Sequence, residues 1–237
     1  MTENELIKAA LAEDLAGGVD ITSESTISAA ANSSADFVAR MDGVIAGSNI
    51  AHAVLAEVGL TDVTQLKKDG DSVKAGDILI SVSGNTRAIL LAERTALNFF
   101  CHLSGIATLT NKWVKEVSGT KCQVRDTRKT TPGMRVIEKY AVRMGGGVNH
   151  RMSLSDAALI KDNHIAAAGG AAAAFAKVRS AFPEADIEIE VDTFEQLKEV
   201  LPLNPNLILL DNMSPEECAS AVGVWRKRIS VILSPSL

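Results

Sequence analysis

Hydrophobic and polar residues follow two different rhythms along this chain of 237 residues. Up to about residue 108, the pattern predicts a short helix near the start and β-like runs at residues 35–40, 44–46 and 78–82. Apolar residues then fall at helical spacing from residue 86 to residue 102, which predicts one long helix. The first part of the chain therefore predicts an α/β domain.

After Gly105, helices and strands alternate regularly. The predicted helices cover residues 108–117, 134–143, 171–181, 193–200 and 215–225, and the predicted strands cover residues 123–125, 158–161, 187–191, 207–211 and 229–233. Each strand is a nearly continuous apolar run, which is typical of parallel strands covered on both faces. We therefore predict a series of parallel helix–strand units.

Charged residues stand at the ends of the first four of these strands. They are Arg128 with Lys129, Lys161, Glu190 with Asp192, and Asp211. In parallel α/β folds the ligand site lies beyond the carboxyl ends of the strands. Solvated loop charges would explain any one of these positions equally well, but they explain four consecutive strands poorly. The pattern therefore indicates a binding site at this edge of the sheet.

The overall charge limits what these cations bind. The formal net charge is −5 at pH 7, whereas a protein that binds nucleic acid generally carries a basic surface. We therefore expect no nucleic-acid partner. Cations gathered at strand ends of an acidic protein indicate a pocket for a small anionic ligand instead.

Composition and cysteine usage indicate the compartment. Hydrophobic content of 46% and charged content of 22% are ordinary for a soluble globular protein. No apolar run approaches the roughly 20 residues that span a bilayer, and residues 1–5 lack the basic start of a secretory signal. Cys101, Cys122 and Cys218 are widely spaced and odd in number, which indicates isolated thiols. We expect a cytoplasmic protein with no membrane partner.

Several stretches of the chain resemble the signature motifs of one family. Residues 127–133 (Thr-Arg-Lys-Thr-Thr-Pro-Gly) and 145–151 (Gly-Gly-Gly-Val-Asn-His-Arg) resemble those of quinolinate phosphoribosyltransferase. The same holds for residues 92–98, 103–108, 159–164, 188–192 and 210–213. The likeness runs in order from about Ala10 to Val231, and several long, independent motifs make it specific.

The resemblance implies a type II phosphoribosyltransferase. Its fold would be an N-terminal α/β domain followed by an incomplete, open α/β barrel, and the protein would work as a homodimer. We place the domains at residues 1–108 and 109–237. The implied reaction joins quinolinate to phosphoribosyl pyrophosphate and gives nicotinate mononucleotide, pyrophosphate and carbon dioxide in de novo NAD synthesis. Mg²⁺ is the implied cofactor.

The implied substrates explain why cations would gather. Quinolinate carries two adjacent carboxylates, and the second substrate carries a phosphate and a pyrophosphate, so several cations are needed. By resemblance, the substrate-binding residues are Arg94, Thr127, Arg128, Lys129, His150, Arg151, Lys161, Glu190 and Asp211. Arg94 is expected to enter the site of the partner subunit, so that the dimer forms part of the active site.

By the same resemblance, the catalytic residues are Lys129, Lys161, Glu190 and Asp211. Breaking the bond between ribose and pyrophosphate develops positive charge at the anomeric carbon, and a facing carboxylate stabilises that charge. Glu190 and Asp211 are expected to do this and to help hold Mg²⁺, which substrate oxygens would largely bind. After glycosyl transfer the cationic ring nitrogen can accept the electron pair of decarboxylation, so we expect no separate cofactor for that step.

Each of these residues also has a purely structural explanation. Arg94 could pair with a glutamate on its own helix, and Lys161 could be a solvated loop lysine. His150 could cap a helix, and Glu190 alternates with Glu188, so it could point outward. The motifs around these residues favour the functional interpretation for most of them.

The end of the chain departs from the family pattern. After residues 229–233 a family member continues with an acidic loop and with further strands and helices that close the barrel, whereas this chain ends at residue 237. Those loops hold the ribose phosphate through backbone N–H groups. We therefore expect that the C-terminal part of the barrel is missing and that the sheet keeps an open edge.

Three other interpretations stay open. A related phosphoribosyltransferase-like protein could act on another base. A carrier module is suggested by residues 69–79, which resemble the turns of biotinyl and lipoyl domains but lack an exposed hairpin tip that presents a lysine. A truncated, non-catalytic remnant that dimerises or only binds quinolinate is supported by the C-terminal gap alone. An activity assay separates it from the enzyme.

Overall fold

The computed structural model describes residues 2–224 and 230–233. Contacts divide the chain into two compact units, Met1–Met152 and Ser153–Leu237, and each unit has its own hydrophobic core. The predicted domain boundary after residue 108 lies inside a helix of the first unit, and its position stays a prediction.

The first unit is an α/β domain, as the sequence predicts. Its elements up to the long helix are α1 (Glu3–Leu15), α2 (Ile21–Thr26), β1 (Asn32–Val38), β2 (Gly43–Val44), α3 (Ser48–Glu57), β3 (Asp62–Gln65), β4 (Ser72–Val73), β5 (Ile78–Asn85) and α4 (Thr86–Glu116). An antiparallel sheet has the order β1-β5-β3, and β2 pairs with β4. α4 packs against α3 and β2, and its buried residues form much of the core.

The long helix α4 corrects the sequence analysis. The pattern predicts two helices that separate near Gly105, and this is wrong because α4 continues through it. Ser104 and Thr108 lie one turn apart, and their hydroxyls exchange hydrogen bonds with the backbone of Ala46 and Val44 at 2.9–3.2 Å. These tertiary contacts offset the cost of about 1 kcal/mol that a glycine brings to a helix interior.

The first unit also contains a helix that the sequence analysis assigned to the second domain. This helix, α5 (Arg135–Met144), buries Ile137 and Ala141 in the first core. The predicted strand at residues 123–125 is reduced to one parallel bridge between Arg125 and Val148. Only Val124 is apolar there and Gln123 is exposed, so three residues offer too little apolar surface for a longer ladder.

The second unit is a parallel α/β layer with an open sheet. Its elements are β6 (Ala158–Ile160), α6 (Asp162–Ala168), α7 (Ala171–Ala181), β7 (Ile187–Val191), α8 (Phe194–Val200) with a 3₁₀ turn (Leu201–Leu203), β8 (Leu207–Leu210), α9 (Pro215–Val224) and β9 (Ser230–Leu233). The strands are parallel in the order β6-β7-β8-β9. No strand within residues 2–224 and 230–233 closes this sheet into a barrel, so the predicted open α/β barrel is confirmed for that part.

Two predicted elements extend past the described residues. Trp225 at the end of the predicted helix 215–225 lies outside them, as do Ile229 at the start of the last predicted strand and residues 234–237. The expected loss of the last part of the barrel stays a prediction.

The end of α5 generates a stability prediction. A Cβ added at Gly145 would stand 2.4 Å from the Ala107 carbonyl oxygen and 2.7 Å from the Thr110 Cβ atom of α4, whereas a Cβ at Gly105 would meet no atom within 4 Å. We expect Gly145→Ala to lower the free energy of unfolding by about 1–3 kcal/mol through overpacking. Gly105→Ala should raise it by about 0.5–1 kcal/mol. Urea unfolding of both variants measures this, and equal effects would contradict the packing at Gly145.

Candidate functional site

The first basic segment, residues 125–129, is an irregular loop that follows Val124. Its backbone turns at Thr127, whose Oγ1 accepts a hydrogen bond from the Lys129 N–H at 3.0 Å. Arg128 is half-buried, and its Nε atom is buried and makes no hydrogen bond to any described residue. Since a buried guanidinium nitrogen rarely stays without an acceptor, this atom is suited to an anionic ligand.

The second basic segment, residues 148–151, runs parallel to the first. The Val148 N–H donates to the Val124 carbonyl at 2.9 Å, and the Asp126 N–H donates to the Val148 carbonyl at 3.3 Å. One step further the His150 N–H donates to Asp126 Oδ1 at 2.8 Å, and the Asn149 side-chain amide donates to Asp126 Oδ2. The structure thus places two predicted sets next to each other, residues 127–129 and residues 150–151.

Helix α5 supports both segments through two consecutive buried charges. Lys139 is fully buried, and its Nζ donates to Asp126 Oδ1 at 2.5 Å and to the His150 carbonyl at 2.8 Å. Glu138 is 8% exposed. The sequence analysis assigned no role to Asp126, Glu138 or Lys139. The available signal is a Glu-Lys pair beside the core residue Ile137, where charges are rarely tolerated unless they are paired.

Glu138 anchors the far end of the loop. One of its carboxylate oxygens accepts from the Thr131 N–H at 3.0 Å, and the other lies 2.8 Å from His102 Nε2 on α4. Burial by itself would raise the pKa of Glu138, but the hydrogen bonds from Thr131 and His102 outweigh it and lower the pKa below the ordinary value. The Glu138 carboxylate therefore stays charged and holds the loop against α4.

Arg94 is not part of this arrangement within its own chain. It is exposed on α4 and lines a mainly apolar groove of about 770 Å³ between α4 and β1, together with Met41, Leu97 and Lys112. No residue of the two basic segments lines this groove.

The second unit brings two of the predicted residues, Lys161 and Glu190, together at one edge of its sheet. Side chains alternate along β7, so Ile187, Ile189 and Val191 enter the apolar core while Glu188 and Glu190 point to the opposite face. The sheet pairs Ile160 with Ile189, which places Lys161 beside Glu190, and the Lys161 Nζ atom donates to Glu190 Oε2 at 2.7 Å. Glu190 is 8% exposed and Lys161 is 47% exposed at its side chain.

Asp211 follows β8 at the same edge of that sheet. The Asp211 N–H donates to the Val191 carbonyl at 3.1 Å, which continues the ladder between β7 and β8 by one bond. Asn212 has a left-handed backbone (φ 53°), and its amide donates to Asp192 at 3.2 Å and to Asp211 at 3.4 Å. Asn212 therefore links the acidic ends of two strands, a role that its motif alone did not reveal.

Two family models together match most of the chain. The family model described as quinolinate phosphoribosyl transferase, N-terminal domain, matches residues 20–104, and the model of the C-terminal domain matches residues 106–236. The chain belongs to the quinolinate phosphoribosyltransferase family. The resemblance seen in the sequence motifs is thereby confirmed.

Curated members of this family are similar over most of the chain. The nicotinate-nucleotide pyrophosphorylase (carboxylating) of Mycobacterium leprae is 48% identical over 230 residues, which cover 96% of this chain and 78% of that protein. The probable nicotinate-nucleotide pyrophosphorylase (carboxylating) of Bacillus subtilis is 41% identical over 86% of this chain and 71% of that protein.

Solved structures of the family have the same fold. NadC from Streptococcus pyogenes superposes with a TM-score of 0.93 at 37% identity and covers 99% of this chain, which spans 83% of that structure. The nicotinate-nucleotide pyrophosphorylase of Francisella tularensis gives a TM-score of 0.94 at 38% identity with the same coverage.

Among the described residues, none of the helices combines the length and the apolar character that crossing a membrane requires.

The contacts of Glu138 generate a pH prediction. A carboxylate whose pKa is lowered in the folded state stabilises that state above its unfolded pKa, and the stabilisation is lost as pH falls through the folded pKa. We expect Glu138→Gln to be less stable than wild type by about 1 kcal/mol at neutral pH. Because the ordinary pKa is 4.5, this difference should shrink below about pH 5.

Urea unfolding between neutral and acidic pH measures the difference. Glu13→Gln, at an exposed position of α1, serves as the matched control and should match wild type throughout. A stability difference for Glu138→Gln that stays constant with pH would contradict the proposed anchoring by a charged carboxylate.

Proposed function

We propose that this chain transfers the phosphoribosyl group of phosphoribosyl pyrophosphate to quinolinate and releases pyrophosphate and carbon dioxide, forming nicotinate mononucleotide for NAD synthesis. The observation that carries the proposal is the pair of basic segments held side by side in the first unit by Asp126. Similarity to the carboxylating nicotinate-nucleotide pyrophosphorylase of Mycobacterium leprae at 48% identity supports the same activity.

The two basic segments bind the anionic groups of the substrates in this proposal. Arg128 forms paired hydrogen bonds with a carboxylate of quinolinate, for which the planar guanidinium is suited. His150 and Arg151 bind from the adjacent segment, and Thr127 donates through its hydroxyl. Lys129 is an exposed point charge on the same loop and stabilises the departing pyrophosphate.

The strand ends of the second unit act on the ribose. As the bond to pyrophosphate breaks, positive charge develops at the anomeric carbon, and the carboxylates of Glu190 and Asp211 stabilise that charge. Lys161 holds the buried Glu190 carboxylate in place through their 2.7 Å ion pair. Once the ring nitrogen carries the ribose it is cationic and stabilises the electron pair left on the adjacent ring carbon as carbon dioxide leaves, and that carbon then takes up a proton from solvent water.

Mg²⁺ fits this site only as an ion shared with the substrate. Within the described residues, no group of three or more His, Cys, Asp or Glu side chains could hold a metal ion. Mg²⁺ commonly uses one or two protein carboxylates together with phosphate oxygens and water, and Glu190 and Asp211 at neighbouring strand ends can supply two. A bound Mg²⁺ would neutralise charge on the pyrophosphate leaving group.

The homodimer and the compartment are also part of the proposal. Arg94 is exposed on its helix and lines a groove that none of the basic segments of its own unit lines, which supports a role in the site of a partner subunit. Cys101, Cys122 and Cys218 are free thiols, as is usual in the reducing cytoplasm, where we place the enzyme.

The proposed activity is tested by removing one charged group from the basic segments and one from the strand ends of the second unit. We expect Arg128→Ala to reduce kcat/KM for quinolinate by about 100-fold or more, since a charged acceptor loses its donor. Glu190→Gln should lower kcat by about 100-fold with little change in KM, because its charge matters most in the transition state. Product formation with Mg²⁺ is measured by chromatography.

The control for charge loss is Lys74→Ala, which removes an exposed cation that pairs with Asp42 in the first unit and should leave both kinetic constants unchanged. Quinolinate binding that depends on Arg128 without any turnover would leave a binding-only remnant and contradict the proposed reaction.

Mixing two inactive variants tests the proposed dimer. If Arg94 serves the partner's site, a hybrid of Arg94→Ala and Arg128→Ala subunits contains one site with both arginines. Refolding an equal mixture should restore about a quarter of the wild-type activity, since half of the dimers are hybrids with one intact site. Activity that stays at the level of the separate variants would contradict a shared site.

A further inference from the structure

The two basic segments begin with paired backbones. Backbone hydrogen bonds link Val124, Asp126 and Val148, and Arg125 forms a strand-like bridge with Val148. Arg128, His150 and Arg151 follow this bridge along the two segments.

A buried ion pair lies next to this bridge. The Asp126 side chain is 7% exposed and the Lys139 side chain is fully buried. Asp126 accepts from Lys139 Nζ, from the His150 N–H and from the Asn149 side-chain amide. The three donors approach from α5 and from the second segment, so this carboxylate fastens the first segment to both.

Lys139 completes the connection through its remaining N–H groups. Besides Asp126, its ammonium donates to the carbonyls of His150 at 2.8 Å and of Arg151 at 3.1 Å. An ammonium group has three donors, and all three are used here. One head group thus contacts the first segment and both residues of the second segment that carry basic side chains.

The helix that carries Lys139 is itself firmly held. Ile137 and Ala141 are buried in the core of the first unit. The Tyr140 hydroxyl donates to Asp69 Oδ2 at 2.7 Å, and burial together with the Asp69 carboxylate raises the pKa of Tyr140, so the phenol stays a donor. Lys139 therefore projects from a rigid base.

We propose that Lys139 is a positioning residue that sets the spacing between the two basic segments and so makes the site selective for a ligand with two adjacent carboxylates. The inference rests on the proposed function. Two carboxylates on neighbouring ring carbons demand a fixed distance between the cations that bind them, whereas a single carboxylate needs only one of the segments. Misplacing a positioned group by about 1 Å can lower the rate of reaction in such a site roughly 100-fold.

Stability alone gives little reason for a buried lysine at this position. Apolar side chains of similar volume often replace buried ion pairs with no loss of stability. The charge pair at Lys139 and Asp126 supplies what apolar packing cannot, namely directional bonds to two backbone carbonyls of the second segment.

The test separates positioning from stability with a paired substitution. Lys139→Met alone would leave Asp126 buried without its cation, so Lys139→Met/Asp126→Asn is used, in which both charges are absent and the Asn side chain can still accept from the His150 N–H. Lys139→Arg is made as a second variant, because it keeps the charge but has a longer, planar head group. Lys74→Met, which breaks an exposed Lys–Asp pair, is the matched control.

Dissociation constants for quinolinate and for pyridine-3-carboxylate are measured by calorimetry, alongside thermal unfolding. We expect the double variant to bind quinolinate about 10- to 100-fold more weakly, while binding of the monocarboxylate changes little, so the ratio of the quinolinate constant to the monocarboxylate constant rises by about the same factor. A smaller rise is expected for Lys139→Arg and none for Lys74→Met.

An unchanged ratio in either folded Lys139 variant would overturn the inference. Loss of folding in both variants would show a purely structural role and overturn it as well. Failure of the wild-type chain to bind quinolinate would contradict the proposed function together with the inference, whereas an unchanged ratio would contradict the inference alone.

Discussion

A buried ammonium group must find an acceptor for each of its hydrogens, and this requirement organises the two basic segments of the first unit around Lys139. Its three acceptors lie on Asp126, His150 and Arg151, which belong to segments more than twenty residues apart in the chain. The loop that carries Arg128 and the segment that carries His150 are therefore held in place by a helix. The same two segments also share a backbone bridge and the hydrogen bonds that Asp126 accepts from Asn149 and His150.

In the second unit, charged side chains are brought together by the alternation of side chains along its strands. Because neighbouring residues of a strand point to opposite faces, β7 places Ile189 in the core and Glu190 on the opposite face of the sheet. The parallel pairing with β6 and β8 then brings Lys161 and Asp211 to the same edge. One unit thus gathers cations through a buried charge, and the other aligns carboxylates through regular strand geometry.

The fold followed from the sequence where the pattern was long and periodic. The strands at 187–191 and 207–210 and the helix at 171–181 match their predictions closely, because several apolar residues at one spacing leave little choice of element. The break predicted near Gly105 is wrong, since hydroxyl contacts from Ser104 and Thr108 to distant backbone carry the helix past it. Such contacts have no trace in local spacing.

The sequence by itself determined the family, the α/β class and the identity of the charged groups, because these are encoded in contiguous motifs and in the spacing of apolar residues. The tertiary structure decided which of those groups are neighbours. It showed Lys139 and Glu138 beneath the basic loop and Asn212 between two strand ends. Side-chain hydrogen bonds between residues far apart in the chain depend on packing, and packing is set only when the whole unit has folded.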